Sequence, residues 1–295
     1  MSLPLVRPKS LMRKIVHSTL HLPVLNKALL IFAIVLTGST LCAYDLSPES
    51  PFSDRLNPIN IYLVKLSWGW TLICILPTVM FTSFLYSGLN FRVILRHFAR
   101  LGIAHLIWLT VTTLFIVIDG YTGTCTGDEG ILERSVCIKK GHYWLGFDIS
   151  GHVFLLTYCI YVITEECANI KLEVWYEYSG ALHYENRVVD KLTEETKQLL
   201  PRMHGLASWV VDKLEILALT EILLWMVMVI ATSLYFHTVA EKLLGYVFGF
   251  VAWYVTYGVL YGRSRYLPCK PDEGILHPLR HLRNEQRPNG HSTRS

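Results

Sequence analysis

Charge is what this 295-residue chain has little of. Asp, Glu, Lys and Arg make up 17% of it, against roughly 25% in an ordinary soluble domain. With 52% hydrophobic residues and a mean hydropathy of +0.36, too few polar groups remain to cover a large soluble core. No basic patch interleaved with aromatics is present, which excludes a nucleic-acid surface and a nucleic-acid partner. No internal repeat is found, and no pair of broken hydrophobic segments in matching positions suggests a transporter. No His/Cys/Asp/Glu cluster with ligand spacing calls for a metal, and no motif calls for a cofactor.

What is present is hydrophobic sequence in blocks of about 20 residues, the length of a membrane span. The blocks fall at 24–44, 61–87, 101–119, 150–168, 214–236 and 243–262. They are apolar on all faces, so the expected fold is all-α: a polytopic membrane protein with six transmembrane helices. Pro77 predicts a kink in the second block. A cleaved signal peptide is the competing reading of the first block. Its long basic lead and the lack of a small-x-small site near Cys42 and Ala43 argue against that.

Between the blocks lie a Pro- and Ser-rich loop (45–60), a short basic connection with Arg92, Arg96, His97 and Arg100, and a polar loop (120–149). A long polar stretch (169–213) has a helical patch expected to stop at Pro201. The Arg- and Pro-rich tail reads as disordered. The expected organisation is a basic arm (1–22), a six-span unit (23–262) and a basic tail (263–295).

Six spans put both termini on one side. Arg7, Lys9, Arg13, Lys14, Arg92, Arg96, Arg100, Arg263, Arg265, Lys270, Arg280, Arg283, Arg287 and Arg294 fall on that side. The opposite side receives Arg55, Lys65, Arg134, Lys139, Lys140 and Lys242. The positive-inside rule then places both termini in the cytosol and the 120–149 loop in a lumenal or external space. The number of cysteines, seven, is odd. Cys42, Cys74 and Cys159 lie in apolar blocks as buried thiols. Cys125 and Cys137 share the polar loop, and an oxidising space suits a bridge between them.

This topology gives the stretch Phe147–Leu156 its interest. Ser150, Gly151 and His152 stand where the polar loop enters the fourth span, and the fifth span returns to the same face at Tyr235-Phe236-His237. A helix N-terminus offers unpaired N–H groups and a positive dipole end to an anion. Gly151 lets an anion approach the backbone. Ser150 can cap the helix or donate to a phosphate oxygen. His152 can move a proton near neutral pH, and His237 can attack phosphorus. In the plainer reading Asp148 and Ser150 only cap the helix and His152 is an interfacial polar residue. Glu241 either orients His237 or is an exposed loop charge. Glu165 and Glu166 lie about 20 Å along the fourth helix from His152, too far to share its site, and read as an interface pair or part of a lipid path.

FDISGH at 147–152 with FLLTYC at 154–159, Glu165-Glu166, YTGTC at 121–125, YFH at 235–237, KLSWGW at 65–70 and the Trp253–Gly258 segment resemble the fat-storage-inducing transmembrane (FIT) family. The resemblance runs from about 23 to 262. It implies a six-span endoplasmic reticulum membrane protein with a bundle like that of the lipid phosphate phosphatases. Its implied activity is that of a lumen-facing hydrolase of acid anhydrides, an acyl-CoA diphosphatase. Such an enzyme cleaves fatty acyl-CoA to acyl-4′-phosphopantetheine and adenosine 3′,5′-bisphosphate and supports lipid droplet formation. The family's two catalytic histidines match His152 and His237. By analogy with lipid phosphatases His237 is the nucleophile and His152 the acid, with Ser150 and Gly151 at the substrate. This chemistry needs no metal.

The lipid-phosphatase pattern is broken on its cationic side. Ala231 stands where that pattern has an arginine, Glu241 where it has an aspartate, and no Lys…Arg-Pro motif occurs. Arg134, Lys139, Lys140 or Lys242 are the expected substitutes. The alternative function is non-catalytic: a binder of diacylglycerol or triacylglycerol that partitions neutral lipid into droplets. A weaker third is that the two histidines bind a metal or a haem edge.

Overall fold

The computed structural model describes residues 22–54, 56–87, 90–128, 130–168, 194–263 and 268–271. The expected N-terminal arm, most of the 169–213 stretch and nearly all of the tail lie outside these. Six long helices carry the fold: α1 (Val24–Ala43), α2 (Ser67–Ser87), α3 (Phe91–Thr122), α5 (Gly151–Ala168), α6 (Glu194–Tyr235) and α7 (Val239–Trp253). A π-helical turn, Ile59–Val64, leads into α2, and another, Tyr254–Leu260, extends α7. The loop after α3 folds into a strand β1 (Thr124–Cys125), a short helix α4 (Arg134–Lys139) and a strand β2 (Trp144–Leu145).

Five of the long helices are long and apolar enough to cross a membrane: Val24–Ala43, Ser67–Phe84 within α2, α3, Lys213–Tyr235 within α6, and Val239–Leu260 through α7 and its extension. The sixth, α5, has 18 residues with His152 near one end and Glu165 and Glu166 near the other, and those polar ends set it apart. Its middle compensates by burial. Every residue from Val153 to Thr164 is buried. A helix buried on all sides is the core of its domain, and α5 is the axis that α7, α6 and α2 surround, with α1 and α3 touching it further out.

Close approach to this axis is a matter of side-chain size. Gly245 and Gly249, one turn apart on α7, face α5. A Cβ on Gly245 would lie 2.5 Å from the Ser150 carbonyl oxygen, and one on Gly249 would lie 3.1 Å from that of Phe154. Small residues four apart let helix backbones meet where lipid supplies no hydrophobic drive. Aromatic rings fill the wider gaps, with Phe115 edge-on to Phe154 at 5.5 Å and Trp68 stacked on Tyr158 at 6.0 Å between ring centroids.

Three sequence expectations need correction. The basic connection at 92–100 is helical: Asn90 caps α3 through its side chain, which accepts from Arg92 N–H, and Arg92 to Arg100 form its first turns. The patch expected to stop at Pro201 instead runs through it, since α6 extends unbroken from Glu194. Proline removes one N–H from the ladder, and the long helix beyond it, with its apolar span Lys213–Tyr235, keeps the chain helical. Glu166 is no interface residue. It forms a wholly buried ion pair with Arg100 of α3, at 2.7 Å between Nη2 and Oε2, with side-chain exposures of 0% and 1%.

That pair is saturated with further bonds. Arg100 Nε donates to Glu166 Oε1 at 2.8 Å, and Tyr257 OH donates to the same oxygen at 2.6 Å. Arg100 Nη1 lies 2.7 Å from His97 Nδ1 and donates to the Cys269 carbonyl at 3.1 Å, so the chain after α7 is tied beneath the bundle. Removing one member of a buried pair leaves a charge with nothing to offset its desolvation, at a cost of about 3–5 kcal/mol. Arg100→Met should therefore lower the melting temperature of the purified protein in detergent sharply. The double variant Arg100→Met/Glu166→Leu should melt above either single variant.

Candidate functional site

The opposite end of the bundle, where α5 begins, gathers the residues singled out from the sequence. Ser150 precedes α5 and is fully buried. Its Oγ accepts from Val153 N–H at 3.3 Å, and its carbonyl accepts from Phe154 N–H at 3.1 Å. Its N–H donates to the Glu241 carbonyl of α7 at 3.1 Å. Ser150 thus works as a helix cap in an inaccessible position. Gly151 differs: a Cβ there would meet no atom within 4 Å, so the first backbone of α5 borders open space. His152 follows, half-buried, in the first turn.

His237 arrives from a different segment. It lies in the two-residue turn between α6 and Thr238, the N-cap of α7, with φ at 61°. That left-handed backbone costs a non-glycine residue on the order of 1–3 kcal/mol, and such strain clusters at functional sites. The turn is held from both sides. Lys242 Nζ donates to the Ser233 carbonyl at 2.7 Å, closing the end of α6. Thr238 and Glu241 form a reciprocal capping box at the start of α7. His237's side chain is 18% exposed. Glu241, beside its ring and bonded to the segment entering α5, ties it to the end of the bundle where His152 stands.

Glu241 links these parts. Its carboxylate accepts from Thr238 N–H at 2.7 Å through Oε2 and from Asp148 N–H at 2.9 Å through Oε1. Oε2 also lies 3.8 Å from His237 Nδ1. One buried side chain thus fixes the turn carrying His237, the segment entering α5 and the charge beside the imidazole. The plainer reading of Glu241 as an exposed loop charge does not hold.

The polar loop forms a cap over this end. β1 and β2 pair antiparallel, with Thr124 opposite Leu145 and Cys125 opposite Trp144. Cys125 and Cys137 are joined by a disulfide, and Ile131 and Trp144 pack on it. Closing a loop this short contributes about 3 kcal/mol in the chain-entropy model. Arg134 reaches back from the cap to Asp119, at 2.7 Å, and Asp148, at 3.5 Å. Both carboxylates hold its guanidinium in the charged form and raise its pKa further.

Of the expected substitute cations, three are engaged elsewhere. Lys242 closes α6, Arg134 serves Asp119 and Asp148, and Lys140 faces Asp128 at 3.8 Å. Lys139 sits exposed on α4. Sequence reasoning passed over Lys65, whose charge, like that of His237, acts on His152. The signal was available: Lys65 opens the KLSWGW stretch at the same end of the bundle. Glu221 belongs to a separate polar knot, accepting from Thr71 Oγ1 at 2.8 Å and Trp225 Nε1 at 3.1 Å. Glu165 accepts from Trp253 Nε1 at 3.1 Å. Among the described residues no group of three or more His, Cys, Asp or Glu is arranged to hold a metal ion.

The chain is similar to known proteins over most of its length. The family model for fat storage-inducing transmembrane protein matches residues 48–257. The chain is 34% identical over 246 residues to the acyl-coenzyme A diphosphatase FITM2 of Xenopus tropicalis, covering 80% of this chain and 81% of the relative. It is 34% identical over 239 residues to that of Mus musculus, covering 79% and 81%. The Homo sapiens protein of the same name is 32% identical over 239 residues, with the same coverage. No solved structure matches. The match takes in the Ser150–His152 entry to α5, the His237 turn and the Glu241 bridge together, and the chain belongs to the fat storage-inducing transmembrane protein family.

Proposed function

We propose that this chain is an acyl-CoA diphosphatase of the endoplasmic reticulum membrane. It hydrolyses fatty acyl-CoA to acyl-4′-phosphopantetheine and adenosine 3′,5′-bisphosphate, and so supports lipid droplet formation and membrane structure. The observation that carries this reading is that Glu241 holds the turn of His237 against the segment leading into Gly151 and His152, where the backbone is open. The name shared by its relatives supplies the substrate class.

The chemistry uses each part once. Glu241 lies on the Nδ1 side of His237, so Nε2 is the nitrogen that attacks phosphorus. The new N–P bond forms as the bridging P–O bond breaks, and His152 gives a proton to the departing phosphate oxygen. Water then cleaves the phosphohistidine, passing a proton back to His152. Attack at either phosphorus yields the same two products. The Glu241 carboxylate stabilises the positive charge that His237 develops, and the first N–H groups of α5 face the anion at Gly151.

Orientation follows from charge. The basic residues near Arg92 to Arg100 and after α7 favour a cytosolic location for that end, and the Cys125–Cys137 bridge favours an oxidising lumen for the cap. Both termini are then cytosolic, and the histidines face the lumen. Acyl-CoA would enter with its chain in the bilayer and its nucleotide outside.

Full-length protein in proteoliposomes should release adenosine 3′,5′-bisphosphate from oleoyl-CoA. His152→Ala and His237→Ala should each lower kcat by about a hundredfold or more. Normal turnover in both variants would exclude this site, whereas droplet formation retained in the inactive variants would favour the neutral-lipid binder. Glu241→Gln should lower kcat about 10- to 100-fold while KM changes little, as expected of a group that positions a reacting side chain.

A further inference from the structure

We propose that Lys65 is the cation that binds the diphosphate of the substrate at the histidine pair. The inference rests on the acyl-CoA reading above and adds to it a residue for the cationic half that the site otherwise lacks.

Its position follows from helix register. Trp68 of α2 stacks on Tyr158 of α5, and further along both helices Cys74, six residues on, meets Cys167, nine residues on. The two helices therefore run in the same direction, and both begin at the histidine end. Tyr158 lies six residues beyond His152, about 9 Å along the axis. Lys65 lies three residues before Trp68, about 4.5 Å toward the same end. Helical side chains lean toward their N-terminus, so the four-carbon stem carries the ammonium up to the level of His152. That the Lys65 charge acts on His152 agrees with this register.

The backbone beneath Lys65 is built rather than loose. Lys65 ends the π-helical turn Ile59–Val64, its N–H donating to the Asn60 carbonyl at 3.2 Å. Asn60 is buried, and its Nδ2 donates to the carbonyls of Phe52 at 3.2 Å and Asp54 at 2.8 Å. Trp70 Nε1 donates to the Tyr62 carbonyl at 3.1 Å across the junction with α2. A single π-helical turn inside a helix is often found at a functional site. Here it sets where Lys65 leaves the helix.

The other cations at this end are occupied, as described above, or lie on the cap. Lys65 is exposed and makes no ion pair with a carboxylate among the described residues. A lysine with no carboxylate partner at the histidine end of the bundle raises the local positive potential. That arrangement suits a ligand carrying several negative charges, and the CoA diphosphate is such a ligand. Lysine fits this role as a point charge on a flexible stem.

The test separates binding from turnover. The background is the inactive His237→Ala protein in detergent, and the substitution is Lys65→Met, which keeps the stem and removes the charge. Oleoyl-CoA should bind about tenfold or more weakly to His237→Ala/Lys65→Met than to His237→Ala. S-oleoyl-pantetheine, which has no phosphate, should bind equally to both. In the active protein Lys65→Met should raise KM for oleoyl-CoA by a similar factor, and Lys65→Arg should restore it to within about threefold. Equal oleoyl-CoA binding in the two inactive proteins would overturn the proposal. So would equal weakening of both ligands, which marks a structural role, or a loss on Lys139→Met with none on Lys65→Met. If the wild-type protein failed to hydrolyse oleoyl-CoA while Lys65→Met still weakened its binding selectively, the anion site would stand and the diphosphatase reading would fall.

Discussion

The approach of α7 to α5 is the constraint on which the rest depends. At Gly245 the α7 backbone comes so near the Ser150 carbonyl that no Cβ fits between them. Because the helices meet there, the Glu241 carbonyl reaches Ser150 N–H and the Glu241 carboxylate reaches Asp148 N–H. The same carboxylate closes the capping box that holds the turn of His237. A single packing contact thus sets the start of two helices and the spacing of two imidazoles. Lipid drives helices together only weakly, so close backbone packing and buried hydrogen bonds carry that association.

The other end of the bundle shows polar groups in a different role. Arg100, Glu166, Tyr257 and His97 form a saturated knot with no opening to solvent, and Cys269 is drawn into it. Glu221, Thr71 and Trp225 form a second. Polar groups inside a membrane are costly unless satisfied, and functional intramembrane charges face an opening. These knots bond inward on every side, which fits fixing helix register. The histidine end has the opposite character: a strained turn, open space at Gly151, and an exposed lysine. Among the described residues, the polar groups of the first kind lock the bundle, while His152, His237 and Lys65 keep some exposure.

Much of this was legible in the chain itself. Hydrophobic blocks of span length marked the six long helices, although α3 starts 10 residues and α6 starts 20 residues before its block. Antiparallel logic put His152 and His237 at one end of the bundle. Two cysteines in one polar loop gave the disulfide. Periodicity failed at Arg92–Arg100 and at Pro201, because basic residues and a proline look like breaks when only hydropathy is followed. A capped helix start and a long apolar continuation override both. Lys65 was counted only among the charges on the side opposite the termini, since sequence alone does not say what stands opposite it.

The sequence by itself determined the class of the protein, its spans, and the residue types available for phosphate chemistry. These depend on local composition and on the cost of placing charge in lipid, which can be summed along the chain. Tertiary structure decided which residues meet. Glu166 became half of a buried pair because α3 lays Arg100 against it, and Ser150 became an inaccessible cap because α7 presses on its carbonyl. Lys65 stands toward the histidine end because α2 and α5 run in the same direction, Trp68 stacking on Tyr158. Such pairings depend on helix order and crossing distance around the axis, set by side-chain volume at contacts far apart in sequence, and no local window of the chain contains them.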